Sequence, residues 1–162
     1  MPALQRTGKE IGEIFNRQVD TVYRVCYSFM KNVPEAEDMT QETFLRLISS
    51  GQKFDNERHE KAWLIVTASN ICKDSLKRWW RRFESLDERF SETPAPEKLE
   101  NPVLEAVLSL PKDYKTVVYM FYYEGYTTAE IAHYQRCREA TVRSRLSRAR
   151  KMLKSMLGGD QR

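Results

Sequence analysis

The stretch Thr127-Thr128-Ala129-Glu130-Ile131-Ala132 is followed, after a short break, by Ala140-Thr141-Val142-Arg143-Ser144-Arg145-Leu146-Ser147-Arg148-Ala149-Arg150. Thr127 and Glu130 have the Thr-x-x-Glu spacing of a capping box, which predicts a helix start. At about 100° per residue, Val142, Leu146, Ala149, Met152, Leu153 and Met156 share one arc of the later segment, the stripe of a helix that faces a core. Arg143, Ser144, Ser147, Arg148 and Lys151 fall on the opposite side, with Arg145 and Arg150 on the flanks. The outline is a helix-turn-helix whose second helix carries cations for phosphates and short hydroxyls that can approach base edges. A charged helix face is in general plain solvated surface. The capping box and the helix it opens are what favour the DNA-reading alternative.

The 162 residues suffice for one or two small domains. Lys and Arg number 27 against 23 Asp and Glu, so the net charge of +4 does not advertise a nucleic-acid partner. The distribution does. Between Arg136 and Lys154 the cations Arg136, Arg138, Arg143, Arg145, Arg148, Arg150, Lys151 and Lys154 face Glu139 alone, whereas Glu84 to Glu100 is acidic. Cys26, Cys72 and Cys137 are odd in number and far apart, with only His59 and His133 to assist, so neither a disulfide framework nor a zinc site is supported. No metal or cofactor is expected. With no signal peptide and no apolar run near 18 residues, a cytoplasmic protein without membrane insertion is expected.

Helical periodicity dominates, and the expected fold class is all-α: two small helical domains joined by a flexible acidic linker. Ile11, Ile14, Phe15, Val19, Val22, Cys26 and Phe29 form the apolar side of a first helix ending near Asn32, and Pro34 is placed to open a second. That second helix runs from Glu35 to Ser50 and is stopped by Gly51. Phe54 to Glu60 reads as a polar loop, and Lys61 to Arg82 as a third, long helix. Residues 83–102, with Pro94, Pro96 and Pro102 among carboxylates, read as linker. Val103 to Leu108 and Lys112 to Tyr123 then precede the helix-turn-helix. The expected boundaries are a loose tail over 1–9, a first domain over 10–82, a second over 103–157 and a short tail over 158–162.

Two further faces ask for partners. On the second helix Ala36, Met39, Thr43, Phe44, Leu47 and Ile48 are expected to be buried, and the other side presents Asp38, Gln41 and Glu42 around Leu45. Such a face is either solvated surface or a docking patch, and an apolar centre inside a polar surround is how protein interfaces are commonly built. On the third helix Leu64, Ile65, Ala68, Ile71, Cys72 and Leu76 form the core arc. Trp63, Val66, Thr67, Asn70, Lys73, Lys77 and Trp80 lie opposite. Rings interleaved with lysines suit single-stranded nucleic acid, where bases stack and cations follow phosphates. Trp79 sits on the core arc and is expected to finish the core, whereas Asn70 and Trp80 are expected to touch a ligand.

Three patterns stand in one order along residues 10–157: Ala36-Glu37-Asp38-Met39-Thr40-Gln41-Glu42-Thr43-Phe44, then Ala62-Trp63-Leu64 with Ala68-Ser69-Asn70, then the helix-turn-helix with Arg143-Ser144-Arg145-Leu146. Together they resemble the extracytoplasmic-function (ECF) sigma factors, the two-domain group of the sigma-seventy family. The resemblance implies that residues 10–82 are sigma domain two and residues 103–157 sigma domain four. It implies that Asp38, Gln41, Glu42 and Leu45 dock on the clamp helices of the β′ subunit of core RNA polymerase, with further contact to the β subunit. It implies that Trp63, Thr67, Asn70, Lys73, Lys77 and Trp80 meet the minus-ten element as single strand, Asn70 helping to read a flipped base beside the Phe54–Glu60 loop. Capture of an extruded base offsets an unstacking cost of a few kcal/mol. Thr141, Arg143, Ser144, Arg145, Ser147, Arg148 and Lys151 would meet the minus-thirty-five element as duplex. The acidic linker would pass through polymerase channels, its charge imitating a phosphate chain.

The chain departs from the family in places. Gln135-Arg136 replace the usual leucine-glycine pair of the turn, where glycine adopts a left-handed conformation freely and arginine costs about 1 kcal/mol. Arg138 replaces a common proline, and Ser147 is small where some members are bulky. A dimeric helix-turn-helix regulator of the response-regulator output type would account for the C-terminal third alone, and no His, Cys and carboxylate cluster has catalytic spacing. The chain ends soon after the basic helix, so control is expected to act in trans, and the resemblance implies an anti-sigma factor. Cys26 and Cys72 are read as packing residues.

Overall fold

The computed structural model describes residues 6–85 and 101–158, without the side chains of 83–85 and 104. All its elements among these residues are helical: α1 (Gly8–Met30), α2 (Val33–Ser50), α3 (Glu57–Ser85), α4 (Pro102–Leu108), α5 (Lys112–Val118), a π-helical turn (Tyr119–Tyr123), α6 (Thr128–Gln135) and α7 (Glu139–Gly158). The chain divides into two compact units, within residues 1–96 and 97–162.

In the first unit α1, α2 and α3 each pack on the other two. Thr7 caps α1 by accepting the Glu10 N–H at 3.2 Å, so the helix opens at Gly8. The tail expected through Lys9 therefore stops short, and Arg6 is tied down: its guanidinium donates to the Gln52 carbonyl and lies 4.9 Å over the Phe54 ring. Left-handed Lys31 (φ 60°) ends α1, and Asn32 then caps α2 by accepting the Glu35 N–H at 2.9 Å, with Pro34 in the first turn. Gly51 at φ 66° ends α2, where its missing Cβ makes the left-handed geometry free. Val22, Cys26, Leu47, Leu64, Ile65, Ala68 and Cys72 are wholly buried between the helices. The Cys26 thiol is held below its usual pKa chiefly by hydrogen bonding with Cys72, aided by Thr40 and Thr43 and opposed by burial.

The third helix begins earlier than its apolar period indicates. Asn56 accepts the His59 N–H at 2.8 Å and caps the turn, so Glu57–Glu60 are helical and the expected loop ends at Asn56. The reason lies in Glu60, a buried carboxylate that reads as polar loop in one dimension. Arg17 of α1 grips it with two donors, Nε at 3.0 Å and Nη2 at 2.9 Å, and Gln18 Nε2 donates at 3.0 Å. The hydrogen bond to Glu60 raises the Arg17 pKa above its already high value. At its far end α3 outruns its neighbours, and Lys77, Arg78, Trp79, Trp80, Arg81 and Arg82 are all exposed. Trp79 is 40 % exposed rather than part of the core, its ring edge-on to Trp80 at 5.2 Å between centroids. Ile48, expected inside, is 46 % exposed, whereas Thr40 is buried and donates its hydroxyl to the Ala36 carbonyl at 2.7 Å.

In the second unit α4, α5 and α6 pack against α7. Pro102 opens α4 rather than closing a linker, with Asn101 Oδ1 accepting the Val103 N–H at 3.0 Å; of the expected linker, 83–85 continue α3 and 86–100 lie outside the described residues. The helix expected over Lys112 to Tyr123 changes winding at Tyr119. There Glu124 N–H bonds the Tyr119 carbonyl at 3.1 Å, five residues back, and Gly125 turns the chain at φ 77°. The wider turn keeps Tyr119 and Met120 buried while Tyr122 and Tyr123 stand out.

The helix-turn-helix has its expected N-cap, and its turn is closed as well. Glu130 N–H bonds Thr127 Oγ1 at 3.0 Å and Thr127 N–H bonds Glu130 Oε1 at 2.9 Å, a complete capping box. Arg136 stands at φ 55°, ψ 45°, and the N–H groups of Arg136 and Cys137 bond the carbonyls of His133 and Ala132, which is the Schellman pattern. Val142, Leu146 and Ala149 of the α7 stripe are buried, Met152 and Leu153 half-buried. Met156 is 49 % exposed, because the last turns of α7 extend past the helices that cover the stripe.

Arg17→Ala strands the Glu60 carboxylate in the first unit. All three tryptophans lie there, and urea denaturation followed by tryptophan fluorescence is expected to show a loss of about 2 kcal/mol, the low side of the usual cost because Arg17 is partly exposed. Arg136→Gly relieves the left-handed strain and is expected to stabilise the second unit by about 0.5–1 kcal/mol, read by circular dichroism in the same titration.

Candidate functional site

Three exposed surfaces collect the residues singled out from the sequence. On α2, helical spacing places Asp38, Gln41, Glu42 and Leu45 on the side away from Ala36, Thr40, Thr43, Phe44 and Leu47; all four are exposed, Leu45 by 58 %. An isobutyl group standing in water beside two carboxylates and an amide stabilises the free protein little, and gains about 1–2 kcal/mol where a partner covers it. Leu45 and Ile48 both lie uncovered on this helix.

The second surface lies on α3 opposite Leu64, Ile65, Ala68 and Cys72. Asn70, Lys77 and Trp80 are exposed, and Trp63, Thr67 and Lys73 are half-buried. Trp63 does not stand alone: Phe54 tilts against it at 5.7 Å and meets His59 edge-on at 5.3 Å. Arg6 covers the Phe54 ring and donates to the Gln52 carbonyl, so the Gly51–Asn56 loop is held against the start of α3 by Phe54 on His59 and Trp63, and to the segment before α1 by Arg6. Sequence periodicity does not reveal Arg6 or Phe54, since each acts from outside a helix; an arginine and a phenylalanine flanking helix starts were the available signal. The surface combines flat rings, an amide able to donate and accept, and a basic extension.

The third surface is the outer face of α7. Arg143, Ser144, Ser147, Arg148 and Lys151 are exposed, and Thr141 and Arg145 are half-buried at its edges. Arg150, exposed on the flank, donates Nε to the Leu146 carbonyl at 3.4 Å. The face is not uniformly basic, because Glu139 pairs with Arg143 at 2.9 Å and accepts the Thr128 hydroxyl at 2.8 Å. Glu139 and Thr128 stand outside the set picked from the sequence, although the Glu139–Arg143 spacing of four is visible there. Among the described residues no cluster of three or more His, Cys, Asp or Glu could hold a metal ion, and no helix is long and apolar enough to cross a membrane.

Comparison with known proteins places families on both units. The family described as Sigma-70 region 2 matches residues 14–83, and Sigma-70, region 4 matches residues 100–153. The ECF RNA polymerase sigma factor SigE of Mycolicibacterium smegmatis is 34 % identical over 156 residues, covering 90 % of this chain; the chain spans only 60 % of that protein's length. The ECF RNA polymerase sigma-E factor of Haemophilus influenzae is 30 % identical over 138 residues, covering 74 % of this chain and 73 % of its own. In fold, the chain is similar to the sigma factor RpoE of Bartonella quintana, solved in complex with the anti-sigma factor NepR, with a TM-score of 0.76 at 20 % identity over 94 % of this chain and 99 % of that one. A region 2 match on the three-helix unit, a region 4 match on the helix-turn-helix unit and relatives of this kind along most of the length agree: the chain belongs to the ECF sigma factors of the sigma-70 family.

Proposed function

We propose that the protein directs core RNA polymerase to a set of promoters, with one task for each exposed surface. Asp38, Gln41, Glu42 and Leu45 dock on the clamp helices of the β′ subunit, a basic partner that covers the leucine and pairs the carboxylates. Trp63, Thr67, Asn70, Lys73, Lys77 and Trp80 hold the minus-ten element as single strand, with the Phe54 loop beside them. Arg143, Ser144, Ser147, Arg148 and Lys151, flanked by Thr141 and Arg145, seat α7 in the major groove of the minus-thirty-five duplex.

The observation that carries this reading is the face of α3. A long helix whose core arc is satisfied by α1 and α2 leaves an exposed amide, the exposed ring of Trp80 with half-buried Trp63, and a cationic end along its other side, and a duplex-reading regulator has no use for it. Each base stacked on a ring contributes about 1–3 kcal/mol, which matches the few kcal/mol needed to unstack it, so binding can hold strands apart without a nucleotide-driven motor. The protein acts as a specificity subunit, not as a catalyst. An anti-sigma factor is the proposed regulator, since the similar RpoE was solved with NepR.

With core polymerase present, Asp38→Ala combined with Glu42→Ala is expected to weaken polymerase binding at least about tenfold, measured by fluorescence anisotropy, while duplex binding by the C-terminal unit stays unchanged. Loss of both activities together contradicts the division of tasks. Asn70→Ala is expected to leave minus-thirty-five duplex binding intact and to reduce permanganate reactivity of minus-ten thymines in the polymerase complex. Undiminished strand opening removes Asn70 from the melting surface.

A further inference from the structure

The outer face of α7 carries one carboxylate where a phosphate-binding surface has no evident need of it. Glu139 is the first residue of α7, and Thr128 is the first residue of α6. One oxygen of Glu139, Oε1, accepts the Thr128 hydroxyl at 2.8 Å and forms an ion pair with Arg143 Nη1 at 2.9 Å. A single atom thus links the starts of both helices of the motif to one guanidinium. The ion pair is solvated, its side chains 60 % and 44 % exposed, and pairs of that kind contribute little to folding. Its negative charge also opposes approach to a phosphate chain.

We propose that Glu139 is a positioning residue for base reading, fixing Arg143 so that it addresses one guanine of the upstream promoter element. With Nη1 committed to Glu139, the Nε–Nη2 edge of Arg143 remains as a parallel two-donor fork, and that fork matches the O6 and N7 acceptors of guanine in the major groove. A long side chain held before DNA arrives loses less conformational freedom on binding, so the contact favours the matching base more strongly. The carboxylate simultaneously lowers affinity for phosphates in general. Specificity rises through both effects, the attraction to one base and the discouragement of all other sequence. The inference rests on the reading of α7 as the duplex-binding helix.

The test uses the full chain and a pool of randomised duplexes, from which the wild type selects its preferred site. Binding is then measured on that site and on each single base-pair change. Glu139→Ala is expected to reduce the preference for one G·C pair about two- to fivefold, and to leave affinity for random duplex equal or higher. Glu139→Gln keeps an acceptor for Thr128 and Arg143 and is expected to retain most of the preference; Thr128→Val is expected to lose part of it. Arg143→Ala should abolish preference at the same pair, and adding Glu139→Ala to it should take away nothing more. The proposal is overturned if Glu139→Ala weakens all sequences evenly, or if the pair it affects differs from the one Arg143→Ala affects. If neither Arg143→Ala nor Arg148→Ala changes binding to any duplex, the reading of α7 fails, and that result is distinct from the failure of Glu139 alone. Unchanged helical circular dichroism separates these outcomes from misfolding.

Discussion

A charged carboxylate in the interior of the first unit sets the geometry on which the α3 surface depends. Glu60 occupies the first turn of α3 and cannot leave Arg17 and Gln18 without stranding a charge in an apolar surround. The two-pronged grip fixes more than position. A helix packed only through leucines and alanines can slide or rotate at modest cost, whereas a bidentate pair tolerates little of either. With the rotation of α3 fixed at its start, Leu64, Ile65, Ala68 and Cys72 turn inward, and Asn70 must turn outward along with Trp80.

Much of this architecture is legible in one dimension because periodicity and caps agree. Gly51, Thr127 and Glu130 act at helix ends where residue type alone predicts them, and Val142, Leu146 and Ala149 follow the helical period into the core. The misplaced residues share a cause. Glu60 looks like loop because its partners lie more than forty positions away. Trp79, Ile48 and Met156 have the right phase for burial, but phase says which side of a helix faces inward and not how far a neighbouring helix extends to cover it. The π turn at Tyr119–Tyr123 escapes for a related reason, since one wider turn changes the period itself.

The candidate surfaces divide in the same way. Exposed faces are the complement of buried ones, so Asp38, Glu42, Asn70 and Arg148 could be placed as soon as the core arcs were known. Contacts joining different elements could not. Arg6 over Phe54, and Thr128 with Glu139, each bring together residues from separate segments. Arg136 is a useful contrast: the sequence shows an unusual residue in the turn, and the turn keeps its left-handed form nonetheless, closed by hydrogen bonds that do not involve the side chain.

The three cysteines differ in a way that concerns electrophiles rather than packing. Cys26 is held below its own usual pKa by hydrogen bonds, yet it and Cys72 are sealed inside the first unit, while Cys137 lies half-open just after the left-handed turn of the helix-turn-helix. Reactivity of a thiol requires access as well as ionisation. In the native fold an alkylating dye or spin probe therefore meets Cys137 first, and the wild-type chain offers a chemical handle within a few residues of Glu139 without any engineering.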